Sequence, residues 1–413
     1  MPRARVDATP SQIDRDGNDD PEDPGTGRAP KSGRFEKVGT PPLALTRICD
    51  LTPLGDALYI AHANQPLGSD GATITRYTPR DSASSFSIAF DWNRPGERTR
   101  GGGAGQGFLR VHAIDGRLFV ADADPPYNGL GIVEQGTEGY VFVSAHDGSF
   151  APARMPGHEP PAAPELSNPA TKGAAVLPRA YHVLDVIRYR GAFYASTGSV
   201  PPGEHAFRSS ASPGALHRAS DDGARWLYDI DYPYPYENGV WRLTYMVRFR
   251  DRLYVGIQDY DGREPNDFLI IEPPRTETRL AREQIRPVRI TSSGAAATLR
   301  WWVDTQATPH RLYWIAWTRA GVTLRVTSDG DTWQPVALPA EAGIPTDITR
   351  FRDAIVILTD RGLWRLDGNA VTAIAKSDQF PLGDLFCAAP LAVFRNELYA
   401  GGQRHGTLWK LVE

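Results

Sequence analysis

Residues 185–198 read DVIRYRGAFYASTG, an apolar run, a turn at Arg190 and Gly191, and a second run ending in small residues. The same skeleton returns six times: DLTPLGDALYI from 50, RVHAIDGRLFV from 110, YMVRFRDRLYV from 245, DTQATPHRLYW from 304, DITRFRDAIVI from 347 and PLAVFRNELYA from 390. With the first residue of each copy as position zero, position six is Asp, Gly, Gly, Asp, His, Asp and Asn, turn formers apart from the His. Position eight is Leu, Phe or Ile throughout, and position nine is Tyr, Phe or Val. Two short β-rich runs around a tight turn spell a hairpin. The copies are spaced 60, 75, 60, 59, 43 and 43 residues apart. Recurrence at roughly 40–50 residues is the period of a propeller blade, about four strands to each repeat.

The expected fold is therefore all-β, a seven-bladed β-propeller. The last copy is followed only by GTLWKLVE, one strand short of a blade, while RFEKVG at 34–39 is strand-like and otherwise unassigned. The N-terminal strand is expected to complete the last blade and so remove the exposed edges. The domain runs from 34 to 413. The leader 1–33 is rich in Asp, Pro, Gly and Arg, lacks aromatics before Phe35, and reads as an unstructured tail or linker.

Composition agrees: 40 Gly and 35 Pro punctuate short strands and leave little room for long amphipathic helices. A net charge of −4 without a Lys-rich tract argues against nucleic acid as a partner. No stretch approaches the ~18 apolar residues of a membrane span, and the leader has no signal-peptide core, so the expectation is a cytoplasmic chain or a processed exported form. Cys49 and Cys387, the two cysteines, fall near the inner strands of the first and last blades, neighbours in a closed ring. Buried free thiols are expected, with a bridge as the alternative.

A second repeat overlays GALHRASDDGARW (214–226) on GVTLRVTSDGDTW (321–333), so Ser220, Asp222, Gly223 and Trp226 match Thr327, Asp329, Gly330 and Trp333. SAHDGSF at 144–150 is a looser echo. These segments resemble the Asp-box turns of sialidase and BNR-repeat propellers, one residue shorter than the usual form. The resemblance implies a structural turn between outer strands: the Asp binds backbone N–H groups, the Gly supplies positive φ, and the Trp packs between blades. The Phe/Tyr-Arg-Ile-Pro motif of sialidases has no counterpart, FLRV at 108–111 being the nearest approach, so the resemblance speaks to fold.

Chemistry is expected at the end of the hairpins opposite their turns, where loops converge around the axis. The segments between copies are long in the first four repeats and short in the last three, which confines elaboration to one side of that face. Asp at position zero (Asp50, Asp185, Asp304, Asp347) reads as scaffold, tying each inner strand to a neighbouring turn. Arg110 and Tyr245 depart from it. Arg110 beside Asp122 and Asp124 is either a satisfied ion pair or a grip on an anionic or polyhydroxyl ligand, with Tyr127 in the same loop. Arg179, Tyr181, His182 and Asp185 enter the third repeat, where His182 and Asp185 with Asp122 are the candidate catalytic groups. Tyr232, Tyr234, Tyr236 and Glu237 form a stiff aromatic connection suited to stacking on sugars or peptides. No metal site is expected: Asp259, Asp261 and Glu264 surround a Gly but do not follow the EF-hand order. The glycine-rich run 98–107 lacks the Walker Lys-Ser/Thr, and no cofactor is expected.

Two functions of different class remain: a propeller binding a glycan, another small polar ligand or a protein on its elaborated face, and a glycoside-active enzyme, a sialidase-like hydrolase or lyase, using the carboxylates and aromatics of that face.

Overall fold

The computed structural model describes residues 23–64, 71–79, 86–92, 107–122, 139–150, 175–177, 180, 182–198, 214–219, 226–231, 240–259, 265–273, 280–383 and 385–413. Its architecture is all-β. Strands follow one another as antiparallel meanders of four: β2 (Arg47–Leu54), β3 (Ala57–Ala63), β4 (Thr73–Tyr77) and β5 (Phe86–Asp91) form the first sheet. The second contains β6 (Val111–Ile114), β7 (Arg117–Ala121), β8 (Gly139–Val143) and β9 (Ala175–Leu177). Then come β10 (His182–Tyr189), β11 (Ala192–Gly198), β12 (Ala215–Ala219) and β13 (Trp226–Asp231); β14 (Val240–Phe249), β15 (Arg252–Asp259), β16 (Phe268–Ile271) and β17 (Ile285–Val288); and β18 (Ala295–Asp304), β19 (Arg311–Thr318), β20 (Gly321–Thr327) and β21 (Gln334–Pro335). Among the described residues these three meanders pair edge to edge through Gly198 opposite Arg242 and Gln258 opposite Ala297. β22 (Pro345–Phe351), β23 (Ala354–Thr359), β24 (Gly362–Asp367) and β25 (Ala370–Lys376) form another sheet of four.

The last sheet holds β26 (Leu391–Phe394), β27 (Glu397–Gly401) and β28 (Leu408–Val412), and its fourth strand is β1 (Arg34–Gly39). β1 runs antiparallel to β28, with Phe35 opposite Leu411 and Lys37 opposite Trp409. The chain before β1 also has contacts. Pro24 O accepts from the Arg352 amide at 2.5 Å, and the Thr26 and Ala29 amides donate to Asn396 Oδ1 and Asp353 Oδ1 at 2.8 and 2.7 Å. Residues 23–33, expected to belong to the leader, thus lie against the hairpin turns of the last two sheets.

Between sheets the faces are apolar and aromatic. Trp301, Trp314 and Trp333 of β18–β21 share one buried cluster with Tyr254 and Phe268 of β14–β17. The turn that delivers Trp333 has the geometry implied by the box. Asp329 Oδ1 accepts from the amides of Asp331 and Thr332 at 2.8 and 2.7 Å, which holds its carboxyl far below the usual range. Gly330 has φ +84°, and a Cβ there would lie 2.2 Å from the hydroxyl of Tyr254, which donates to Gly330 O. The looser echo is built alike: Asp147 accepts from the Ser149 amide, and Tyr59 donates to Asp147 O. In the third copy, residues 220–225 lie outside the described residues.

The hairpin-turn end is clamped by arginines. Arg190 reaches both oxygens of Asp251 at 2.7 Å, Arg188 pairs with Asp115, and Arg350 grips Asp304 at 2.5 and 3.0 Å. Each pair joins one meander to a neighbour.

Candidate functional site

Position zero follows a β-bulge. The register shifts between Ile48 and Asp50, Val183 and Asp185, and Pro345 and Asp347, and each shift turns a carboxylate toward the next meander. There it accepts the amide one residue past position zero: Val111 for Asp50 at 3.0 Å, Met246 for Asp185 at 2.7 Å, Leu391 for Asp347 at 2.7 Å. The repeated Asp therefore ties inner strand to inner strand rather than to a turn. Asp304 is not a member of this set. The hairpin between β18 and β19 turns over 305–310, longer than the two-residue turns elsewhere, which displaces the sequence frame; the bulge falls between Thr298 and Arg300. Arg300 holds the place assigned to Asp304.

The result is a buried charged layer. Arg300 lies 3.2 Å from Asp50 and 3.1 Å from Asp347, although these residues come from three different sheets. Arg110 lies 3.4 Å from Asp50, and its guanidinium sits 5.0 Å above the ring of Tyr245. His112 Nε2 donates to Asp185 at 2.5 Å. Burial pushes the Asp347 carboxyl up to about 7, against the lowering by the Leu391 and Ile348 amides and Arg110. Burial likewise raises Asp50, outweighing Arg110 and His112.

One step toward the open strand ends the filling becomes apolar. Cys49, Ala63, Leu109, Leu184 and Cys387 form a single buried cluster, with Phe386 packed on it. Cys49 and Cys387 are joined by a disulfide, Cα atoms 4.5 Å apart, which overturns the expectation of free thiols. The fold brings β2 and the segment before β26 side by side, and that proximity decides the matter. Tyr245 donates its hydroxyl to Phe386 O at 2.5 Å.

Three residues before position zero, ~10 Å further along the strands, stand Arg47, His182 and Arg242. All three are buried. Arg242 Nη2 donates to His182 Nε2 at 2.9 Å, so that nitrogen carries the lone pair, and the Arg242 guanidinium lies 5.5 Å from the Phe386 ring. Arg242, Phe386, Tyr245 and Arg110 thus form one column from the strand openings inward. Gln258, opposite Arg242 on β15, is buried with its Oε1 without a hydrogen-bond partner among the described residues.

Of the residues singled out in the sequence, Arg110 and Tyr245 meet. His182 and Asp185 do not pair: the first takes Arg242, the second His112. Asp122 is buried and accepts the amides of Tyr140 and Val183 at 2.9 and 3.0 Å, stapling β8 to β10. Asp124, Tyr127, Arg179, Tyr181, Tyr232, Tyr234, Tyr236 and Glu237 lie outside the described residues, as do Asp261 and Glu264. Among the described residues no group of three or more His, Cys, Asp or Glu side chains is placed to hold a metal ion. Arg47, His112, Arg242 and Arg300 escaped the sequence reading. Three of them were within reach: Arg47 and Arg242 share the offset of His182 from position zero, and Arg300 emerges once a longer turn is allowed.

No protein-family model and no curated protein matches the chain. Solved structures do. The fold is similar to that of virginiamycin B lyase from Staphylococcus aureus, in its selenomethionine-substituted form (TM-score 0.53, 8% identity, 92% of this chain and 99% of that one) and in a catalytically inactive variant with quinupristin (TM-score 0.50, 9% identity, 92% and 99%). More distant is the periplasmic gluconolactonase of Pseudomonas aeruginosa (TM-score 0.43, 11% identity, 87% and 82%). The likeness to virginiamycin B lyase supports a β-propeller-like fold.

Proposed function

We propose that the chain is a seven-bladed β-propeller, closed by β1 in the last blade, that binds a small polar ligand such as a glycan where the axis opens between the strand ends. The observation that supports this is Arg242, paired with His182 at 2.9 Å and set over the partly exposed ring of Phe386, a polar group above an aromatic floor. Aromatic faces and fixed donors are what a polyhydroxyl or anionic ligand needs. The elaborated loops supply the walls in this reading: the connection with Tyr234, Tyr236 and Glu237 leads directly into β14 and Arg242, and Arg179 and Tyr181 precede His182. Asp124 and Tyr127 belong to the same set.

Arg110 takes a different part from the one its sequence position suggested. It lies behind Tyr245 and serves the charged layer, so its loss acts on stability first. Binding is favoured over glycoside hydrolysis because Asp122 and Asp185, candidates for acid and base, are taken up by main-chain amides of neighbouring strands, and Asp185 also by His112, which makes them staples between strands. A hydrolase of this kind needs one carboxyl able to give its proton to the leaving group.

The test is a thermal-shift screen of glycans and small anions on the wild type, followed by Arg242→Lys on each hit. The reading requires a hit whose shift is lost in Arg242→Lys. A hit that keeps its full shift places the site elsewhere, and release of reducing sugar from a glycan hit would favour the enzyme.

A further inference from the structure

We infer that the Cys49–Cys387 bridge is a redox latch on a plug, and that its reduction by a dithiol opens the axis from the strand ends down to the charged layer. This rests on the packing alone and not on any ligand.

The plug is the segment around Leu385–Ala388. It belongs to the chain between β25 and β26, residues 377–390, which no strand covers. Its residues nevertheless reach across the axis. Cys387 and Phe386 pack with Cys49 and Ala63 of the first sheet, Leu109 at the lead-in to the second, and Leu184 of β10, and Phe386 also packs against the cluster of Tyr245 and Trp301. Immediately beneath lie Tyr245 and Arg110. On the outer side Phe386 and Leu385 are half-buried and Gly383 is exposed. A segment without a strand ladder, with Leu385 and Phe386 only half-buried, lifts without breaking a sheet, which sets it among the parts of a fold that open locally. The bridge is the covalent hold against that motion, and it ties the plug to the residue beside Asp50.

The sulfur atoms are buried: Cys49 and Cys387 are each 1% exposed. Reduction therefore proceeds through an opened plug. A thiolate of the dithiol attacks one bridge sulfur, the S–S bond breaks, and the other cysteine leaves as thiolate and takes up a proton. The second thiol of the reductant then displaces the mixed disulfide, so the bridge gains two electrons and the reductant closes its own disulfide. With both thiols free, the plug keeps its apolar contacts and loses its tether.

Hydrogen exchange read by mass spectrometry on the full chain tests this, comparing the oxidised protein with protein reduced by dithiothreitol and alkylated. Exchange across 385–391 should rise roughly tenfold or more on reduction, while β22–β25 and β18–β19 keep their protection. Unchanged exchange across 385–391 would overturn the latch, and so would a rise shared by all peptides, which would make the bridge a staple of the whole fold. A second measurement leaves the bridge in place: Phe386→Ala loosens the plug, so reduction, followed by the mass added on alkylation, should run several-fold faster than in wild type. An unchanged or slower rate contradicts the inference.

Discussion

The two ends of the hairpins are built from different kinds of residue. At the turn end the same words recur, an aromatic followed by Arg and a turn residue at Tyr189–Arg190, Phe249–Arg250, Phe351–Arg352 and Phe394–Arg395, and the neighbouring arginines meet acids of adjacent sheets. At the strand openings the meanders differ: Arg47, His182 and Arg242 stand at one offset in the first, third and fourth, and the bridge and Phe386 occur once. Repetition marks the parts that every blade needs, because every blade has the same packing problem to solve. A site has one copy, so its residues are found where the repeats disagree.

The comparison can be broken at its base by removing the strand that completes the last sheet. Deleting residues 1–22 should leave the melting temperature within a degree or two, whereas deleting 1–39 removes β1 and leaves β28 as an open edge with Trp409 and Leu411 uncovered. The second loss should be on the order of the whole stability of a domain, ~5–15 kcal/mol. Equal melting temperatures for the two truncations would deny β1 its part in the fold.

Aromatic anchors at the two ends should differ next. Trp333 is buried among four other aromatic side chains, and Trp333→Ala should cost about 3–5 kcal/mol by denaturant titration. Phe386 is partly exposed, and Phe386→Ala should cost only about 1–2 kcal/mol. Reversed magnitudes would put structural weight at the strand openings. Arg350→Ala, which strands Asp304 at 1% exposure, should cost ~3 kcal/mol.

The charged layer predicts a pH dependence of a particular sign. Asp347 is held near 7 in the folded chain against an ordinary 3.8. Between these values the folded state binds more protons than the unfolded one, so stability falls as pH rises from about 4 to about 7 and then levels. Asp50 acts in the same direction, whereas Asp329 and Asp147, held low, contribute only at more acid pH. Asp347→Asn should flatten this slope by on the order of 2 kcal/mol, measured as unfolding free energy at pH 5 and 7.5. A slope unchanged in the variant would show that Asp347 titrates at its ordinary value when folded.

How much of this was legible in the sequence follows the same division. The hairpin repeat, the order of strands and the pairing of 34–39 with the C-terminus could be read because short strands of fixed length return with their turns. The turn at Asp329, with its amide-bound carboxylate and positive-φ Gly330, was anticipated through the resemblance of its segment to the Asp box. Asp304 was misplaced by one unusually long turn, since a frame counted along the chain does not see a loop that adds residues without moving the strand. The pairing of His112 with Asp185 was hidden for another reason: the two lie 73 residues apart and meet only through the stacking of adjacent sheets. His182 begins β10, and its partner Arg242, on the next meander, was not foreseen.

The contrast between the ends is tested most directly by one pair of substitutions on one ligand found in the screen. Arg242→Lys and Arg350→Lys both keep the charge and lose the planar fork of donors. Affinity by isothermal titration should fall roughly tenfold or more for Arg242→Lys, about 1.4 kcal/mol, and stay within about twofold for Arg350→Lys, whose effect should be on melting temperature instead. Binding that survives Arg242→Lys and is lost in Arg350→Lys would place the site at the turn end and contradict the account.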